Sequence, residues 1–122
     1  MINSIDIEVP RNGHYQENWQ IRAIDFDADG KRIYPPIDLT GHTLELDVRL
    51  SAGQGSVVAS ADIDIYDAVN GNVTITIAGD DFSGVQGVAE IVKLAYDLKH
   101  IYPDGIIKVY PRGNVLLIPG VS

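Results

Sequence analysis

The 122-residue chain has no cysteine. That absence excludes disulfides, a thiol nucleophile and cysteine-based zinc sites, and leaves the core or oligomerisation as the source of stability. No apolar run approaches the roughly 20 residues that cross a bilayer, so membrane insertion is not expected. Basic residues are scarce, nine against seventeen acidic ones, for a net charge of −8. A phosphate backbone is repelled by such a surface unless the few cations cluster, so no nucleic-acid partner is expected. The first residues, Met1-Ile2-Asn3-Ser4-Ile5-Asp6, lack the basic start and continuous apolar stretch of a secretion signal, which fits synthesis in the cytoplasm.

What is present is a globular composition: 45% of residues are hydrophobic and mean hydropathy is near zero. Too much apolar surface is available for a disordered tail, and the length suits one core and a single domain over residues 1–122. Ile5, Ile7 and Val9 alternate with Asp6 and Glu8, the period of a half-buried strand, and Pro10 and Gly13 end it. Residues 19–26 read as one strand with a phase change, since Trp19 and Ile21 share one face and Ile24 and Phe26 the other; a bulge is expected there. Asp27-Ala28-Asp29-Gly30 is a tight turn, and Tyr34-Pro35-Pro36 is a connection because proline donates no ladder hydrogen bond.

Leu44, Leu46, Val48 and Leu50 alternate with Glu45, Asp47 and Arg49, the clearest strand in the chain, closed by Ala52-Gly53-Gln54-Gly55. Val57, Ala59, Ala61, Ile63 and Ile65 read as one face of a single further strand, with Asp62 and Asp64 on the other. Asn70-Gly71 then turns into Val73, Ile75 and Ile77. Asp80-Asp81-Phe82-Ser83-Gly84-Val85 breaks the alternation, so a short helical turn is expected near 80–87. Residues 89–102 fit a helical stripe and a strand alike; the Pro103-Asp104-Gly105 turn and the β pattern of 106–110 favour a strand from about Val92. Gly113-Asn114 is read as a turn into Val115-Leu116-Leu117-Ile118, a run suited to a strand buried on both faces. Seven to eight short strands at this spacing predict an all-β fold, a single antiparallel β-sandwich.

Candidate chemistry is sparse. Asp25-Phe26-Asp27-Ala28-Asp29-Gly30 matches the opening half of a calcium loop, but the closing bidentate acid would fall at Pro36, so the segment is read as a polar hairpin turn to which only Asp38 could add a ligand from outside. His14, His42 and His100 lie far apart without ligand spacing and are read as surface or loop residues. Ser83 lacks the spacing of a nucleophile elbow, Asp62 and Asp64 are the wet side of a strand, and Gly53-Gln54-Gly55 has no lysine for a phosphate. Trp19 is assigned to the core, where a large ring contributes most. No catalytic, metal or cofactor-binding residue is assigned, and the chain is not expected to be an enzyme.

With Ile37-Asp38-Leu39-Thr40-Gly41 and the alternating strand that follows, the chain resembles, over nearly its whole length, a β-sandwich family common among bacteriophage tail-fibre and baseplate proteins. The matching elements, in order, are residues 19–26, the turn 27–30, Asp38 to Gly41, the strand 44–49, Tyr96-Asp97-Leu98, and the closing segment from Gly113 through Pro119-Gly120-Val121. The Tyr34-Pro35-Pro36 insertion and the long approach through residues 89–93 depart from that pattern. The resemblance implies a virion protein of the tail, made in the host cytoplasm, that works by assembly with copies of itself and with other tail proteins. Since the chain ends at Ser122, a separate small virion protein, or a module whose partners arrive as other chains, is expected. The alternative is a carbohydrate-binding module contacting host surface glycan through Trp19, Tyr15, Tyr34, Tyr66, Tyr102 and Tyr110.

Overall fold

The computed structural model describes residues 6–51, 54–85 and 90–119, with backbone only at 51, 54, 111 and 112. Its strands are β1 (Ile7–Pro10), β2 (His14–Gln20), β3 (Asp25–Phe26), β4 (Arg32–Ile33), β5 (Thr43–Ser51), β6 (Gln54–Ser60), β7 (Asp62–Asp67), β8 (Asn72–Ala78), β9 (Val92–Ile101) and β10 (Ile107–Ile118). A 3-10 turn, Gly79–Phe82, follows β8 where the alternation breaks. The fold is an all-β sandwich. One wall is a five-stranded sheet in the order β1-β10-β9-β5-β6, the other a three-stranded sheet in the order β2-β8-β7, and β3-β4 form a separate ladder.

The period-two pattern fills the space between the walls. Leu46, Val48, Leu94, Leu98, Val115 and Leu117 point inward from the larger sheet to meet Val73, Ile75 and Ile77 from β8, and Phe82 closes one end. Val9 and Ile7 on β1 join this core, while Ile5 and the residues before it lie outside the described residues. Pairing is antiparallel except between β1 and β10, which run parallel with Ile7 opposite Val115. The chain crosses from one sheet to the other directly after Pro10.

Three expectations change. Residues 19–26 are not one bulged strand: β2 begins earlier, at His14, and ends at Gln20, and Asp25 and Phe26 belong to the β3-β4 ladder. Between them Ile21 is buried, donating its amide to Gly71 and accepting from Ile37, so the phase change marks a departure from the sheet. Residues 57–65 are likewise two strands. β6 pairs with β5 in the large sheet, β7 with β8 in the small one, and the switch falls at Ala61, whose amide bonds to the Leu46 carbonyl. From Ala59 to Ile65 the apolar alternation runs on because both halves face the same core; Val57, expected on that face, lies beyond a register shift in the β5-β6 ladder and is exposed, and Val58 packs on the core instead.

The third change is at Gly113-Asn114, which is not a turn but lies within the long strand β10, just past a register shift between Tyr110 and Gly113. A Cβ at Gly113 would lie 2.6 Å from Cζ of Tyr96, so this glycine admits a ring from the neighbouring strand. Val115 and Leu117 are fully buried and Leu116 and Ile118 half-buried. The turn at Pro103-Asp104-Gly105 joins β9 to β10 as expected, with Gly105 N–H donating to Tyr102 and Ile106 N–H to Asp104 Oδ1. Of the other expected features, Ala52 and Gly53 of the β5-β6 turn, residues 86–87 of the helical turn, Ala89, and Gly120-Val121 lie outside the described residues.

Candidate functional site

Two groups of residues stand apart from the core, one buried and polar, the other exposed and apolar. The buried one corrects the reading of the histidines. His100 sits near the end of β9 on its inward face and has 0% exposure. Register places Leu44 of β5 on one side of it and Lys108 of β10 on the other. His42, from the loop before β5, brings its Nδ1 to 2.6 Å from Nε2 of His100, and the Tyr110 hydroxyl lies 2.7 Å from His100 Nδ1. Tyr102 stacks on His100 with ring centroids 4.3 Å apart, and Lys108 Nζ lies 6.0 Å from the Tyr102 centroid. His14 is exposed on β2 and takes no part.

Burial is the main reason that the His100 pKa is held down to about 4, with His42 and Lys108 adding unfavourable positive charge. Burial, then neighbouring Tyr102, pushes Tyr110 up to about 12, so its hydroxyl keeps its proton. Neutral His100 carries the chain in either direction: Tyr110 O–H to Nδ1 with Nε2–H to His42, or Nδ1–H to Tyr110 with His42 donating to Nε2. Neither ring nitrogen of His100 reaches solvent, so the trio is a bonded plug that closes the inner face of the sheet. The missed signal was periodicity: Leu94, Tyr96, Leu98 and His100 are one inward series.

The exposed group is the β3-β4 arm. Every residue from 24 to 34 is exposed, including Ile24, Ile33, Tyr34 and Phe26, the last at 59%. The arm is nonetheless wired at both ends. At its tip Asp27 Oδ1 accepts the amides of Asp29 and Lys31, each at 2.9 Å, while Gly30 N–H donates to the Asp27 carbonyl. At its root Arg22 Nη1 donates to the Tyr34 carbonyl at 2.8 Å, Ala23 N–H to Pro35, and Ile37 N–H to Ile21. Gly71 sits against this root with φ +70°, and a Cβ there would come within 2.6 Å of the Ile21 carbonyl oxygen.

The acidic residues are occupied by turn chemistry. Asp27 is used as above, Asp25 Oδ1 accepts the Phe26 amide, and Asp38 Oδ1 accepts both the amide and the hydroxyl of Thr40. The Thr40 bonds hold the Asp38 pKa below the usual aspartate value. Asp38-Leu39-Thr40-Gly41 is thus a capped turn that sinks Leu39 into the core. Among the described residues, no group of three or more histidines and carboxylates is placed to hold a metal ion. Ser83 and Asp62 and Asp64 are exposed and lie on separate elements. In Tyr96-Asp97-Leu98 the flanking residues face the core, while Asp97, 9% exposed, pairs in register with Asp47; its Oδ1 accepts no hydrogen bond among the described residues.

The aromatic rings divide among several places. Trp19, expected in the core, is half-buried at its edge, where it donates to the Tyr15 hydroxyl at 2.9 Å and packs against Tyr96. Tyr102 and Tyr110 belong to the histidine plug, Tyr34 to the arm, and Tyr66 is exposed on β7.

No protein-family model matches the chain, and no curated protein matches it. Among solved structures, that of murine CRIg is similar over 93% of this chain and 91% of that one, at 13% identity and a TM-score of 0.37.

Proposed function

We propose that this chain is a structural or adaptor component of a bacteriophage tail, at the baseplate, the tail tip or a fibre attachment, and that it acts through protein-protein assembly in the virion. The observation that carries this reading is the arm: a two-stranded ladder is marginal in water on its own, and this one presents Phe26, Ile24, Ile33 and Tyr34 to solvent. Such a surface is stabilised when a partner covers it. The ordered motifs from residue 19 to Pro119 supply the tail context.

Co-expression with the products of the genes that flank it is the test. The expected result is a complex of fixed stoichiometry that survives gel filtration and is lost in Phe26→Asp. A gene neighbourhood free of virion genes, together with no complex, would sink the reading. The alternative, a carbohydrate-binding module, draws on exposed Tyr34 and Tyr66; it requires glycan-array binding that is lost when either is replaced by alanine.

A further inference from the structure

The inner face of the five-stranded sheet outruns the three-stranded sheet that covers it. Where β5 finishes and β9 begins, Leu50 and Val92 extend the inward series of Leu44, Leu46 and Val48 and of Leu94, Tyr96 and Leu98. Leu50 is 61% exposed there, and Val58, Gly84, Val85 and Asp81 complete an open cleft of about 450 Å³. Among the described residues that line it, the charged one is Asp81. Arg11 fixes the cleft's edge by donating to the carbonyls of Phe82 and Val85.

The arm lies at the opposite pole. Its root bonds to Gly71 at the start of β8, whereas the 3-10 turn at the cleft follows the end of β8. Register sets Phe26 opposite Arg32 on one face of the arm, with Ile24 and Tyr34 two residues along from each. That face carries three apolar or aromatic side chains and one cation. The cleft offers apolar walls and one anion. Residues 24–34 carry Lys31 and Arg32 against Asp25, Asp27 and Asp29, and Arg32 is the charge on the face that holds Phe26. The charge lining the cleft among the described residues is that of Asp81, and Arg32 on the arm's apolar face has the opposite sign.

We infer that the occupant of the cleft is the arm of a second copy of this chain: Phe26, Ile24 and Tyr34 seat against Leu50, Val58 and Val92, and Arg32 pairs with Asp81. The inference rests on the assembly reading above and names its partner. Because donor and acceptor surfaces are different and lie at opposite poles, the contact is heterologous and head-to-tail, and repeats into a ring or a filament.

Native mass spectrometry and sedimentation velocity on the full chain, from about 1 to about 500 µM, test it. The wild type is expected to grow beyond a dimer with concentration. Phe26→Asp and Leu50→Asp each lower the association constant at least tenfold, with unchanged melting temperatures because both side chains are exposed. Mixed together, the two variants form a dimer of one copy each and nothing larger, since that pair retains one intact arm and one intact cleft. Arg32→Asp weakens assembly and Asp81→Arg on the partner restores it. A wild type that stays monomeric throughout, or variants that assemble as the wild type does, overturns the inference. So does a mixture that stays monomeric while the wild type dimerises, which indicates a symmetric contact elsewhere. If the monomeric chain still binds the products of neighbouring genes, the assembly reading survives and only self-association fails; if it binds neither, both fail.

Discussion

The two ends of one sheet's inner face are finished in opposite ways. Beside His100 the last inward row is closed by rings: His42 and Tyr110 bond to the two ring nitrogens of His100, and Tyr102 stacks on it. Beside Leu50 and half-buried Val92 no such ring closes the row among the described residues, and Leu50 is left exposed. Polar groups are tolerated in the dry end because each finds a partner. The apolar end gains roughly 25 cal/mol for each Å² that a partner covers. In the assembly proposed above, the open end is the acceptor surface and the exposed arm is the surface of matching apolar character.

The largest test of this contrast is acid titration of the closed end. Because His100 is held neutral in the fold at a pKa of about 4, against 6.5 for the free side chain, its contribution is complete above pH 6.5 and is lost as pH falls toward 4. Urea unfolding across that window is expected to show a loss of about 3 kcal/mol from this group, and a flatter profile in His100→Gln. An unchanged slope in the variant would mean that His100 is not buried as described. Asp38 and Asp67, whose carboxylates accept hydrogen bonds from Thr40 and from Asn70 and Asn72, act only at lower pH, where they begin to protonate.

Gly71→Ala comes next. It sets a Cβ against the Ile21 carbonyl at positive φ, and a loss of about 2–3 kcal/mol is expected, with hydrogen exchange rising through the arm root at Ile21 and Ile37. Exchange unchanged at both amides would separate the arm from this glycine. Tyr110→Phe removes one partner of His100 and should cost about 1–2 kcal/mol, visible as a lower urea midpoint at neutral pH. The smallest effect is expected at the open end: Leu50→Ser should change monomer stability by less than about 0.5 kcal/mol, since the side chain is already exposed. A larger loss would show that the cleft is covered within the monomer.

The sandwich was legible because alternation reports burial directly: Leu44 to Val48, Val73 to Ile77 and the β9 series from Leu94 are buried as their spacing requires. What alternation cannot report is which wall a strand belongs to. Residues 59–65 keep one phase while passing from one sheet to the other at Ala61, and nothing local marks the corner. Gly113 looked like a turn because its role, admitting the Tyr96 ring, is set by a residue on another strand. The Asp27 turn was read correctly, since Asp27 and Gly30 act within five residues. The histidine plug was not, because His42 and His100 are 58 residues apart and meet only through the β5-β9 register. Ile24, Phe26 and Ile33 were visible as apolar residues, but their exposure follows from the chain leaving the sheet at Ile21.

The central claim, that the chain works through two unlike surfaces at opposite poles, is tested most directly by amide NMR shifts recorded as concentration rises from about 10 to about 500 µM. Shifts are expected in two separate groups, residues 24–34 of the arm and Leu50, Val58, Asp81, Gly84 and Val92 of the cleft. Ile75 in the core and His100 in the plug should stay still. Shifts confined to one of the two surfaces, or none at all, would contradict it.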